Sequence, residues 1–156
     1  MKKLLHKVFP PEFFRSRAYA RALVLAVVYV GVALAQLFSF ERFPDVVAEW
    51  GLPGGRVMAV IVAGLLPLAA AAALPFLISM QLSKRSRRVS AAMVVATPVL
   101  WIVLGLWQNV ATPQAMNAGI FGATVVTTVG WWLVLFAALW LWAAILCVRE
   151  LPPRKK

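Results

Sequence analysis

The residues able to do chemistry in this chain are few, and most stand outside its apolar stretches. Cys147 is the only cysteine and His6 the only histidine. Thiol exchange within one chain needs a second thiol to resolve the mixed disulfide, so Cys147 reads as a small buried apolar residue. His6 sits among lysines ahead of the first apolar run and has no second ligand near it, so the sequence predicts no metal site and no cofactor. Ionisable groups inside a membrane span persist where function uses them. The apolar runs described below hold no Asp, Glu, Lys, Arg or His in their interiors. Their polar residues are hydroxyls and amides: Gln36, Ser79, Thr97, Thr124, Thr127 and Thr128, with Gln81 and Gln108 near run ends. Such groups usually bond back to their own helix or bridge to a neighbour.

Two other patterns bear on chemistry. In LLPLAAAAALPFL, Leu65 to Leu77, the prolines Pro67 and Pro75 leave the carbonyls of Ala63 and Ala71 without their helical donors. A broken helix that coordinates an ion would add acids, amides and glycines at the break. Here the neighbours are Leu, Ala, Phe and Ile, while Ala59, Ala63, Ala69 and Ala73 with Gly64 offer small residues for close backbone approach. Pro67 and Pro75 are therefore expected to kink a packing helix, and Pro98 after Thr97 to do the same in the next one. The second pattern is aromatic: Trp132, Phe136 and Trp140 recur every four residues, on one helix face. With Trp101 they could stack a flat neutral lipophile such as a quinone, the alternative to a plain packing stripe.

The elements that must position these residues follow from hydropathy. The chain has 156 residues, is 63% hydrophobic and only 13% charged, and has a mean hydropathy of +0.86, outside the range of soluble domains. Apolar runs of spanning length cover roughly 22–40, 57–82, 89–107 and 123–148. This predicts an all-α fold, an integral membrane four-helix bundle over 22–148, preceded by a basic amphipathic segment, 1–21, and followed by a basic tail, 149–156. Ala33-Leu34-Ala35 imitates a signal-peptide cleavage site, but the apolar run continues to Phe40, so an uncleaved first span is expected.

The formal charge of +11 is distributed by side. Four spans put both ends and the second connection on one face, and that face collects fourteen of the sixteen basic residues, leaving Arg42 and Arg56 opposite. By the positive-inside rule both termini are expected in the cytoplasm and the protein in the inner membrane. The charge then serves anionic lipid head groups, and nucleic acid is not expected as a partner. Phe13, Phe14 and Tyr19, interleaved with Arg15, Arg17 and Arg21, suit an interfacial anchor.

The first outer connection carries Pro44 and Asp45 where a helix begins and Gly51 where one ends, with Val46, Val47 and Trp50 at helical spacing. That face is expected against the membrane or a partner. Thr112-Pro113 in the third connection reads as another helix start, with Gly119 or Gly122 ending a short outer segment. Trp107, Trp131 and Trp132 form an interfacial belt.

The run LAQLFSFERFPDVVAEWGLPGGRVMAVIVAGLLPLAAAAALPFL resembles the first hairpin of the DoxX and MauE-like membrane proteins. The resemblance covers mainly Ala22 to Leu82. It implies a four-helix bundle associated with redox processes, including quinone-linked oxidation and maturation of disulfide-containing periplasmic enzymes. The family often carries a glutamate near the position of Leu68 to Ala70, which this chain lacks, so no catalytic role transfers. The expected function is that of an accessory or assembly subunit for a membrane or outer-face protein partner, touched through Gln36, Glu41, Arg42, Asp45, Glu49 and Trp50.

Overall fold

The computed structural model describes residues 17–80 and 82–151; the expectations for 1–16, for Gln81 and for 152–156 lie outside the described residues. Among the described residues five helices follow one another: α1 Arg17–Phe38, α2 Phe43–Ala48, α3 Gly55–Leu77, α4 Lys84–Ala111 and α5 Trp131–Glu150. All but α2 are long and apolar enough to cross a membrane. The protein is a multi-pass membrane helical bundle.

The helix ends have local causes. In α2, Pro44 occupies the first turn, where its missing N–H costs nothing, and Asp45 faces the helix dipole there. Gly51 then turns the chain at φ +61°. At the end of α3, Ser79 takes a left-handed conformation, φ 53°; its N–H donates to the Phe76 carbonyl at 3.0 Å and that of Met80 to Pro75 at 2.9 Å, a Schellman closure. Ser83 caps α4, its Oγ accepting from the Ser86 amide at 3.2 Å. With 28 residues α4 is about 42 Å long, so it overruns a ~30 Å hydrocarbon core.

Two expected boundaries move. No helix opens at Thr112-Pro113: Thr112 ends α4, its N–H donating to Gln108 at 3.1 Å, because a residue before proline is pushed out of the helical region. The last helix starts at Trp131, not near 123, and residues 113–130 form an irregular folded segment. Val125, Val126 and Val129 are as apolar as a membrane span but belong to that segment.

Around the bundle, α1 packs on α3, α3 on α4 and α4 on α5, while α1 and α5 meet over a short stretch only. The core is an inward stripe from each helix at a spacing of three or four residues: Tyr29, Val32 and Ala33 from α1, Ala63, Ala70 and Ala73 from α3, Val94 and Trp101 from α4, Leu133 and Ala137 from α5. Ala70, not Ala69, is the buried alanine, because 3.6 residues per turn carries a strict four-residue repeat off the face. Ala59, Ala63 and Ala73 are buried as predicted, but a Cβ on Gly64 would meet nothing within 4 Å, and the tight glycine is Gly105 of α4 instead. A Cβ on Gly105 would press on the side chains of Val134 and Leu133, so those side chains of α5 lie directly on the α4 backbone there.

The prolines lie inside unbroken helices. Side chains of neighbouring helices enter the backbone at two of them, Pro98 and Pro75. Pro98 denies a donor to the Val94 carbonyl, and the Tyr29 hydroxyl from α1 donates to it in the buried core. Next to Pro75 the Ser90 hydroxyl of α4 enters the α3 ladder. The Phe76 amide donates to Ser90 Oγ at 3.0 Å, and Ser90 Oγ donates to the Ala72 carbonyl at 2.7 Å, so one hydroxyl bridges a backbone pair that would otherwise bond directly. Thr97 Oγ1 bonds back to Met93 at 2.9 Å, one turn before it in α4.

Candidate functional site

At the end of the bundle opposite the described chain ends, α2 and residues 112–130 fold into a cap. Its centre is Trp50, which is fully buried and sits edge-on to Phe43 at 6.4 Å and to Trp101 of α4 at 6.2 Å. Its indole N–H donates to the Asn117 carbonyl at 3.1 Å, and its own carbonyl accepts the Trp107 indole at 2.8 Å. Asn117 is the second centre. Its Oδ1 accepts from the amides of Gly119 at 2.9 Å and Thr127 at 3.1 Å, and its Nδ2 donates to Gly122 at 3.0 Å, closing the irregular loop on itself.

Two buried amides join the cap to the spans. Gln36 Nε2 of α1 donates to the Ile120 carbonyl at 3.0 Å, and Gln108 Nε2 of α4 donates to Ala118 at 3.2 Å. Since a carbonyl accepts only from the amide nitrogen, both amide orientations follow, leaving Gln36 Oε1 and Gln108 Oε1 buried and unpartnered. The indole nitrogen of Trp101 is buried without a partner as well. Ser39 completes the join, its Oγ accepting the Ala123 amide at 2.8 Å. Gly119 and Gly122 take positive φ, +75° and +68°, where a side chain would run into Trp50 and into Ser39 respectively.

The six residues expected to meet a partner therefore divide. Glu41, Arg42, Asp45 and Glu49 lie exposed along the cap rim. Gln36 and Trp50 are wholly inside, engaged by the chain's own backbone, and are not available as contact surface. The face of Val47 and Trp50 is likewise laid on the bundle itself. Asp45 and Arg56 approach to 3.3 Å, both well exposed, an ion pair of small energetic consequence. Glu49 also borders a cleft of about 560 Å³ with Thr112, Pro113 and Met116.

The aromatic set expected to stack a lipophile is not brought together. Trp101 is buried beneath Trp50. Trp132 is bonded through its indole to the Thr128 carbonyl at 2.7 Å. Phe136 and Trp140 do meet, at 5.9 Å, and Trp140 stands edge-on to Tyr29 at 4.8 Å across the α1–α5 seam. Outside that contact the seam opens into a groove of about 960 Å³, lined by Val24, Leu25, Val28, Phe136, Leu139 and Trp140 among others. Its far end carries an ion pair, Arg21 to Glu150 at 2.5 Å, which brings the two described ends of the chain to one side. Among the described residues no cluster of three His, Cys, Asp or Glu side chains stands ready for a metal.

No family model, curated protein or solved structure matches this chain. The site thus rests on its own geometry. Sequence reasoning missed Asn117, Ser39, Ser90 and Tyr29. Only Asn117 had a local signal, as an Asn two residues before a glycine in a helix-free stretch; the partners of the other three come from distant parts of the chain.

Proposed function

We propose that this protein is an accessory or assembly subunit that offers its capped end to a protein partner in the membrane or at its outer surface. One observation carries the reading: the cap is a folded platform, not a pair of links. Amide and indole groups of α1, of α4 and of Trp50 hold it, and it presents Glu41, Arg42, Asp45 and Glu49 at its surface, Glu49 beside the cleft at Met116. A helical hairpin that only had to return to the membrane would not need buried hydrogen bonds across its loop. Three acids on the rim favour a partner with a basic or amide-rich surface, and the exposed Met116 supplies an apolar contact in the cleft that Glu49 borders.

The concentration of basic residues at the opposite end supports cytoplasmic termini, an outward-facing cap and residence in an inner membrane. An accessory role also agrees with the family that the first hairpin resembles, with no catalytic residue carried over. Reporter fusions after Pro53 and Thr112 are expected to give outer-side signals and a fusion after Arg85 a cytoplasmic one. Photo-cross-linking residues placed at Glu49 and Met116 in native membranes should give a discrete protein adduct that Glu41→Lys with Asp45→Lys abolishes. A cross-linker at Val103, on the outward face of α4, should give lipid adducts. Equal adduct patterns from the cap and from Val103 would refute the docking role.

A further inference from the structure

The bundle is closed on three sides and open on the fourth. Between α1 and α5 the groove of about 960 Å³ falls within the ~300–1,000 Å³ of ligand sites. It runs from Glu150 to Phe136, fourteen residue steps along α5, which is about 21 Å of helix rise. One leaflet of a ~30 Å hydrocarbon core is about 15 Å deep. The groove thus begins at the charged end of the bundle and continues past the depth that a lipid tail of that leaflet fills.

The rim decides the head group. Arg21 of α1 and Glu150 of α5 neutralise one another across the mouth. Arg17, one turn before Arg21 on the same face, and Arg149, beside Glu150, are exposed and form no ion pair among the described residues; they do not line the groove but add two positive charges next to the residues at its mouth. Below the mouth the lining is aliphatic and aromatic, Val24, Leu25, Val28, Leu139 and Leu146 with Phe136, and suits hydrocarbon. A second copy of the chain would bring the same positive rim against this one, so its charge opposes that occupant.

We propose that the α1–α5 seam is a specific site for one anionic glycerophospholipid, with its phosphate between Arg17 and Arg149 and its acyl chains along the groove. The site is independent of the docking role of the cap. The lipid completes the fourth side of the bundle, filling the stretch where α1 and α5 do not meet.

The test is lipid retention by the full-length protein, released from nanodiscs of equimolar phosphatidylglycerol and phosphatidylcholine and weighed by native mass spectrometry. One phosphatidylglycerol per chain is expected to remain. Arg17→Gln with Arg149→Gln, both exposed and outside the core, should lower retention about tenfold, while Arg85→Gln with Arg88→Gln, at the same end but away from the groove, should leave it intact. Ala143→Trp, which fills the groove and keeps every charge, should abolish retention; helix content and monodispersity of that variant are checked alongside. Equal retention of phosphatidylcholine, equal loss in both arginine pairs, or a dimer joined through Leu139 would each overturn the proposal. So would a gain in retention on deleting residues 2–16, since that would make the chain's own leading segment the occupant.

Discussion

The pairing of Tyr29 with the carbonyl left free by Pro98 can be tested by Tyr29→Phe, which removes one hydroxyl and little volume. The Val94 carbonyl then has neither its ladder donor nor water, since both residues are buried. Loss of a partner from a buried acceptor costs about 1–3 kcal/mol in water-soluble proteins. Within a bilayer the average interhelical bond is worth only ~0.6 kcal/mol, with a maximum near ~1.7, because the separated helices satisfy themselves. Helix α4 cannot do so at Val94, where proline has taken the donor away, so the value should approach that maximum, about 1.5 kcal/mol. Pro98→Ala restores an N–H to that carbonyl. Tyr29→Phe made in this background should then cost less than about 0.5 kcal/mol, a coupling of roughly 1 kcal/mol between residues on different helices. Equilibrium unfolding of the four variants in mixed micelles, followed by helical circular dichroism, measures the cycle. An equal cost of Tyr29→Phe in both backgrounds would refute the assignment of Tyr29 as the donor that replaces the ladder bond.

Three further substitutions probe the helix ends and the cap. Ser90→Ala should destabilise by about 1–2 kcal/mol and speed hydrogen exchange at the Phe76 amide, whose acceptor it removes; unchanged exchange would show that the α3 ladder closes directly. Ser79→Gly should stabilise by about 1 kcal/mol in the same unfolding assay, since φ 53° strains any residue with a Cβ and the serine sits at the left-handed position of a helix end. Gly119→Ala should cost more than about 2 kcal/mol and shift the tryptophan emission, because it combines an unfavourable positive φ with displacement of the Trp50 indole; a native melting curve and spectrum would mean that the cap does not pack on that indole.

The spans were legible in the sequence because hydropathy reports what lipid demands of a helix. Their ends were less so. Residues 123–130 look like the start of a span, but they belong to the irregular cap segment, where Val125 and Val126 are exposed, and hydropathy cannot distinguish an exposed valine of a loop from one that faces lipid. Glu41, Arg42, Asp45 and Glu49 could be placed on a connection from their charge. The inward turn of Trp50 depends on contacts with Asn117 and Trp101, more than fifty residues away, and no local pattern encodes it. The same holds for Gln36, read correctly as a polar residue near a span end, whose acceptor Ile120 lies 84 residues further along. Kinking prolines were expected from the residues around them. Which side chain would meet each opened turn was not, because Ser90 and Tyr29 lie on neighbouring helices.

The bonds that fasten the cap end on main-chain groups: Gln36 on the Ile120 carbonyl, Gln108 on Ala118, Trp50 on Asn117 and Trp107 on Trp50, with Ser39 on the Ala123 amide. A grip on the main chain does not itself depend on the side chains those residues carry. In this stretch Asn117, with its three backbone bonds, Gly119 and Gly122, with no room for a Cβ, and the fully buried Ala118 and Ile120 are tied to their identity. Met116, Thr124, Val125 and Val126 point away and are free to change. The outer surface can therefore drift toward a new binding specificity by single substitutions while its attachment to the membrane helices is inherited unaltered, a separation of evolvable face from conserved fastening that a cap held through its side chains would not permit.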